Sequence, residues 1–317
     1  MGGVRTRTFC RRPPGCAAIS AASQGARGTR SAGCRLPGMR SISTADGRVL
    51  AVEEWGVPDG VPVVYAHGTP MSRLARHPDA ALFADLGIRL ITFDRPGFGN
   101  STPRAGRRVV DAADDIATIA DHLGLDRFAI FGVSGGGPHA LAFAAVHPDR
   151  TTRVATLAST APCDAEGLDW TAGMMESNRL SAAAALRGRA ALEAHLAETE
   201  SADLRELLPE AEQAVLARPE FQQMLSAAYA EALRPGLQGW VDDELALFGL
   251  PWGFDPAAIT VPVSLWHGEL DTVVPVAHSA WLAARIPDAV LTRAPGAAHV
   301  GHFDATAATL RWLLDRS

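Results

Sequence analysis

Three short stretches of this 317-residue chain carry side chains suited to nucleophilic hydrolysis. The first is Gly132-Val133-Ser134-Gly135-Gly136. A serine hydroxyl is a weak nucleophile until it is exposed, aligned with a base and faced by donors for the oxyanion that forms as it attacks a carbonyl. A sharp turn from a strand into a helix does this. It strains the serine and needs small residues two before and two after it. By composition alone such a pentapeptide turns up in roughly one chain of this length in ten, so its context decides. The second stretch is Trp266-His267-Gly268-Glu269-Leu270-Asp271, where Asp271 is placed to orient an imidazole. Glu269 is a rival that should point elsewhere, and Asp164 is a weaker one. The third is "APGAAHVGHF", residues 294–303, with two histidines three apart. His299 lies in the loop expected before the last helix and is the expected base. His302 is expected to anchor the start of that helix or shape a pocket rim. The order Ser134, Asp271, His299 is a known order for such a triad.

Donors for the oxyanion follow from the same turn. A helix starting behind Ser134 presents free N–H groups and the positive end of its dipole, so the backbone N–H of Gly135 is one expected donor. A second must come from a neighbouring strand end. His67-Gly68-Thr69-Pro70 closes a short apolar run, Gly68 permits a tight turn, and Thr69 is expected to offer its N–H. His67 is expected to hold that loop by hydrogen bonds, His139 to pack or lie on the surface, and Asp94 and Arg95 to stabilise a turn. His299 and His302 have H-x-x-H spacing, yet no nearby carboxylate or cysteine completes a metal site. Residues 132–137 lack the lysine of a phosphate loop. Neither metal nor cofactor is expected.

These groups need a scaffold that gathers several strand ends. Residues 48–55, 62–66, 89–93, 127–131, 154–157, 261–266 and 289–292 read as strands. Most are brief apolar runs that stop at Gly, Asp or Pro, as parallel strands do. Val109, Ala113, Ile116, Ala120 and Leu123 repeat at helical spacing, with Gly124 as the stop. Residues 136–146 continue from the serine turn as an Ala-rich helix. The last helix is expected to take Asp304 as its N-cap and to bury Ala307, Leu310 and Leu314. Such alternation predicts an α/β domain with a mostly parallel sheet flanked by helices. From 163 to 257 no strand pattern appears, which predicts a helical insertion above a core built from residues 39–162 and 258–317. Trp170, Met174, Met175, Trp240 and Trp252 are candidates for a pocket lining or for packing of the insertion.

With these elements in place, the chain resembles the α/β-hydrolase fold family, in its serine-nucleophile, helical-cap, esterase/lipase-like branch. The resemblance rests on "HGTP" (67–70), "DRPGFGNS" (94–101), "GVSGGG" (132–137), "HGELD" (267–271) and "PGAAH" (295–299). They stand in the family's order and spacing across most of residues 48–317. The resemblance implies Ser134 as nucleophile, Asp271 as acid, His299 as base, and Thr69 and Gly135 as oxyanion donors. Serine at the nucleophile position excludes the dehalogenase and epoxide-hydrolase branches, which carry aspartate there. Ala297-Ala298-His299 departs from the usual small-Gly-His ending. The expected activity is hydrolysis of small carboxylic esters through an acyl-enzyme. C–C bond hydrolysis of diketones, release of an N-terminal proline and cofactor-free peroxidation share the triad, and a small-molecule receptor shares the fold. For the proline reading, Asp242, Asp243 and Glu244 are candidates to bind a substrate ammonium, against a solvated helix start.

Composition bounds the partners. The formal charge of −6 argues against nucleic acid as the main partner; that all 29 basic residues are Arg says little about mechanism. No apolar run reaches the ~18 residues of a membrane helix. Residues 1–38 hold seven Arg, no acid, and Cys10, Cys16 and Cys34. They are expected to be a disordered leader or to precede a start at Met39. Only Cys163 remains beyond them, so a reduced, cytoplasmic setting is expected. The expected partner is a small apolar ester or related carbonyl compound. No feature of the sequence speaks to oligomeric state.

Overall fold

The computed structural model describes residues 38–199 and 209–315, and the basic leader with Cys10, Cys16 and Cys34 lies outside the described residues. Eight strands form one sheet in the order β1-β2-β4-β3-β5-β6-β7-β8. They are β1 (Arg40–Ser43), β2 (Val49–Gly56), β3 (Val61–Ala66), β4 (Ile88–Phe93), β5 (Phe128–Val133), β6 (Thr151–Leu157), β7 (Val263–Gly268) and β8 (Ala289–Ala294). β2 runs antiparallel to β1 and β4, and every other neighbouring pair is parallel. The expected strands are present with ends displaced by one to three residues. β1 was not expected. Its sequence RSIS buries only Ile42, so an edge strand of this kind has no apolar run to mark it.

The central strands are apolar on both faces because helices cover both. Val64, Ala66 and Ile130 face one layer, formed by α2 (Ala112–His122), α3 (Gly137–Val146) and α9 (Ala277–Ala283). Val63, Tyr65 and Phe131 face the other, formed by α1 (Ala80–Asp85) and α10 (His302–Leu314). Each fully buried aliphatic side chain contributes on the order of 1.5–3 kcal/mol, so the alternate residues of one strand hold both layers. α2 stops where Gly124 takes φ +67°, a left-handed conformation that costs a glycine little.

The last helix corrects one expectation. It begins at His302, preceded by a 3-10 turn over His299–Gly301. Asp304 therefore lies in its first turn rather than at its N-cap, and it forms a two-pronged ion pair with Arg218 at 2.7 and 2.8 Å. The buried face is also rotated, since Thr306, Leu310 and Leu313 are buried while Ala307 and Leu314 are half-buried.

Between β6 and β7 the described residues contain no strand. Among the described residues, five helices lie in this segment: α4 (Glu176–Leu186), α5 (Arg189–Thr199), α6 (Glu210–Leu216), α7 (Pro219–Leu233) and α8 (Gln238–Glu244), which runs into a π-helical turn at Leu245–Gly249. Trp252 packs in the main core, stacked on Phe254 with ring centroids 5.7 Å apart. Trp170 bonds the Ala161 carbonyl at 3.0 Å, and Trp240 bonds Glu244 at 2.6 Å. Among the described residues, no helix is long and apolar enough to cross a membrane.

Candidate active site

The order of the sheet fixes where a site can form. From β3 the chain crosses to β4 on one side and then returns to β5 on the other. Such a switch point opens a crevice at the carboxyl ends of the two strands. Gly68 and Thr69 follow β3, and Ser134 follows β5, with Ala66 paired to Gly132 across the gap. Asp271 follows β7 and His299 follows β8. All five residues named from the sequence thus lie beyond the carboxyl ends of parallel strands.

Ser134 has φ +53°, in the left-handed region that a non-glycine side chain rarely enters. The turn is held from several sides. Ser159 Oγ donates to the Ser134 carbonyl at 3.0 Å, and His139 Nδ1 donates to the Gly135 carbonyl at 2.8 Å. The glycines around the serine are required by crowding. A Cβ on Gly132 would strike the Gly136 backbone, and one on Gly136 would strike the carbonyls of Ala66 and His67. The Gly68–Thr69 loop passes close by, since a Cβ on Gly68 would lie 3.4 Å from Ser134 Cβ.

Asp271 and His299 are in direct contact, with His299 Nδ1 donating to Asp271 Oδ2 at 2.8 Å. That bond leaves Nε2 with its lone pair. Asp271 Oδ1 accepts the backbone N–H groups of Val273 and Val274 at 2.9 and 2.8 Å. His267 Nε2 stands 3.1 Å from Oδ2. Burial alone would raise the Asp271 carboxyl, but His299 and His267 outweigh it and hold it well below the usual carboxylate range. Burial pushes His299 down, yet Asp271 and then Glu212 hold it above the ordinary 6.5. The rivals stand apart: Glu269 and Asp164 are exposed. His302 spends Nδ1 on the His299 carbonyl at 2.9 Å, and burial lowers it to about 3.

The loop carrying Thr69 is gripped by buried charge. Arg95 reaches the carbonyls of His67 and Gly68, and its NH2 donates to Thr69 Oγ1 at 2.9 Å. Thr69 Oγ1 donates in turn to Asp243 of α8, so its hydroxyl proton is committed and only the backbone N–H remains for a ligand. Asp243 also takes Arg95 at 2.5 Å and Arg107 at 2.6 Å. Burial would raise Asp243, but the two guanidiniums hold it well below its ordinary value. His67 donates from Nδ1 to the Gly68 carbonyl at 2.7 Å and accepts the Arg95 N–H at Nε2, 3.2 Å. His139 takes the packing role, buried against the serine turn. Two other readings change here. Arg95 is fully buried and ties the Thr69 loop to α8 rather than only stabilising a turn. Asp242, Asp243 and Glu244 are all buried, so they are not a solvated helix start. Asp242 pairs with Arg189, and Glu244, raised by burial to about 8, accepts from Trp240.

Residues 61–306 match the family described as alpha/beta hydrolase fold. The chain belongs to that family. Its similarity to individual members is partial. A proline iminopeptidase of Arabidopsis thaliana is 36% identical over 116 residues, which is 35% of this chain and 30% of that protein. A non-heme chloroperoxidase of Streptomyces lividans is 32% identical over 126 residues, 39% of this chain and 46% of that protein. The chain thus spans less than half the length of either curated relative. A thermophilic esterase from Thermogutta terrifontis superposes with a TM-score of 0.63 at 25% identity, over 87% of this chain and 96% of that one.

Within this hydrolase fold, sequence reasoning missed the partners that hold the site in place. Ser159, Asp243 and Glu212 touch the serine turn, the Thr69 loop and the His299 loop respectively. Only His267, inside "HGELD", had a local signal. Among the described residues, no group of three or more His, Cys, Asp or Glu side chains is arranged to hold a metal ion.

Proposed function

We propose that the protein hydrolyses small carboxylic esters through an acyl-enzyme on Ser134, with residues 163–257 acting as a cap over the site. The observation that carries the reading is the strained Ser134, at φ +53°, at the switch point of a sheet whose next strand ends carry a hydrogen-bonded Asp271–His299 pair. In this reading His299 Nε2 takes the Ser134 hydroxyl proton as Oγ attacks the carbonyl carbon. The N–H groups of Gly135 and Thr69 hold the resulting oxyanion, a contribution worth about 10²–10³-fold per donor. Imidazolium then protonates the leaving alkoxide, and a water activated by the same nitrogen releases the acid. Asp271 fixes the tautomer and stabilises the imidazolium.

The cap sits close over the nucleophile: a Cβ on Gly135 would lie 2.9 Å from Leu247 Cδ1. An apolar neighbour there favours an apolar acyl or alcohol group. The Thermogutta terrifontis protein is named an esterase, which agrees with this reading. Release of N-terminal proline, suggested by the name of the Arabidopsis relative, finds less support. The acids nominated for a substrate ammonium are engaged with Arg95, Arg107, Arg189 and Trp240. Turnover of p-nitrophenyl acetate and butyrate, with prolyl-p-nitroanilide in parallel and Ser134→Ala beside the wild type, tests the proposal. Equal ester turnover by the two proteins would sink it.

A further inference from the structure

The turn that carries His299 starts without a cap of its own. Its N-cap residue is Ala298, which makes no side-chain capping bond, so the first N–H groups of the turn need acceptors from elsewhere. A carboxylate 87 residues earlier supplies them. Glu212 Oε1 accepts the His299 N–H at 2.5 Å, and Oε2 accepts the Val300 N–H at 2.7 Å. Glu212 belongs to α6 and is 1% exposed. A buried carboxylate is costly unless it is hydrogen-bonded or paired. Burial raises the Glu212 carboxyl, and the His299 imidazole is the strongest influence acting against that.

We infer that Glu212 is a positioning residue for the base: it clamps the main chain of His299 to the cap and adds a second negative charge to that of Asp271. The inference rests on His299 being the base. It makes α6 part of the catalytic apparatus as well as a cover over it. Other charged or titratable groups near the base are accounted for. Asp271 lies on Nδ1, His267 stands behind Asp271, and His302 bonds the His299 carbonyl. His77 lies beyond His302, and Arg218 from the same cap segment pairs with Asp304 on α10.

Glu212→Gln keeps one acceptor oxygen and removes the charge; Glu212→Ala removes both bonds. Both are compared in the full chain with wild type, Arg218→Gln and Ser134→Ala, using p-nitrophenyl butyrate. Misplacing a catalytic group by an ångström costs up to about 10²-fold. Glu212→Gln should therefore lose about tenfold in kcat and Glu212→Ala more, with KM changed less than about threefold. The acid limb of kcat/KM should move to lower pH in both. Arg218→Gln, which cuts a neighbouring link between cap and core, should leave rate and acid limb unchanged. The His299 imidazole titration, followed by NMR, gives a readout independent of turnover and of whether Glu212→Ala folds. It should move down in Glu212→Gln. An unmoved titration overturns the inference whatever the rates, as does a Glu212→Gln protein with wild-type kcat. Full activity in Ser134→Ala would instead overturn the serine-hydrolase reading and leave the Glu212–His299 coupling to be judged by NMR alone.

Discussion

Replacing Asp243 with Asn tests whether the buried charge cluster holds the Thr69 loop to the helical segment. Asp243 is fully buried, with Arg95 at 2.5 Å and Arg107 at 2.6 Å. Arg95 has other acceptors in the His67 and Gly68 carbonyls. Arg107 meets Asp243 without hydrogen-bond alignment, so it depends on the charge alone. His139 cannot share the load as a cation, since burial and Arg95 push it to about 3 and any proton would add to the positive excess. Neutralising the carboxylate leaves two buried guanidiniums with no counter-charge, and breaking such a pair costs about 3–5 kcal/mol. For a domain of this size each kcal/mol moves Tm by about 2–4 °C, so Tm should fall by roughly 6–20 °C. Thermal unfolding at pH 7 reads this directly, with Asp242→Asn as comparator. The partner of Asp242, Arg189, keeps 34% of its side chain exposed, so water can take over its solvation and the loss should be about 1–2 kcal/mol. The pH dependence has a definite sign. The Asp243 carboxyl is depressed below 3.8 in the fold, so its stabilisation is complete above that pH and is lost as pH falls through the folded value. The Tm gap between wild type and Asp243→Asn should hold from pH 5 to 8 and narrow only in strong acid. A gap under about 2 °C at pH 7 would refute the reasoning.

Other perturbations probe the site itself. Asp271→Asn should lower kcat by about 10³–10⁴-fold. The rate of the wild type should rise with pH through a midpoint above 6.5, because His299 must be neutral to act and is held above that value; Asp271→Asn should move the midpoint down. Gly136→Ala drives a methyl into the Ala66 and His67 carbonyls. It should cost about 1–3 kcal/mol in chemical denaturation and slow labelling by a fluorophosphonate. His299→Ala should abolish that labelling, whereas His302→Ala should retain it, since His302 is lowered to about 3 and spends Nδ1 on a carbonyl. The reverse result would exchange their roles.

What could be read from the chain and what could not divide along a physical line. β3 and β5 are covered on both faces, so each is a largely apolar run that stops where the chain must turn. Gly132 and Gly136 are legible because a side chain there meets backbone that cannot move. These constraints are local, and local constraints leave patterns. The anchors of the site are not local. Glu212 lies 87 residues from His299, and Asp243 lies 148 residues from Arg95. A helix pattern records which positions are apolar; it does not record that an acid on the buried side has found a guanidinium or a pair of N–H groups. That is why "DDE" at 242–244 reads as a solvated helix start as readily as an ammonium site, although all three residues are buried. The same blindness placed the helix start at Asp304, where an acidic side chain suited to capping stood near the last periodic run. The helix starts at His302 instead, Glu212 caps the 3-10 turn that precedes it, and Asp304 is left to pair with Arg218. Both cases fall on the contacts between the helical segment and the strand ends. The candidate catalytic residue types are encoded in short motifs on the core, while the charges that fix the Thr69 loop and the His299 loop come from α8 and α6. Sequence change in the helical segment can therefore alter the geometry of the candidate site without touching those motifs.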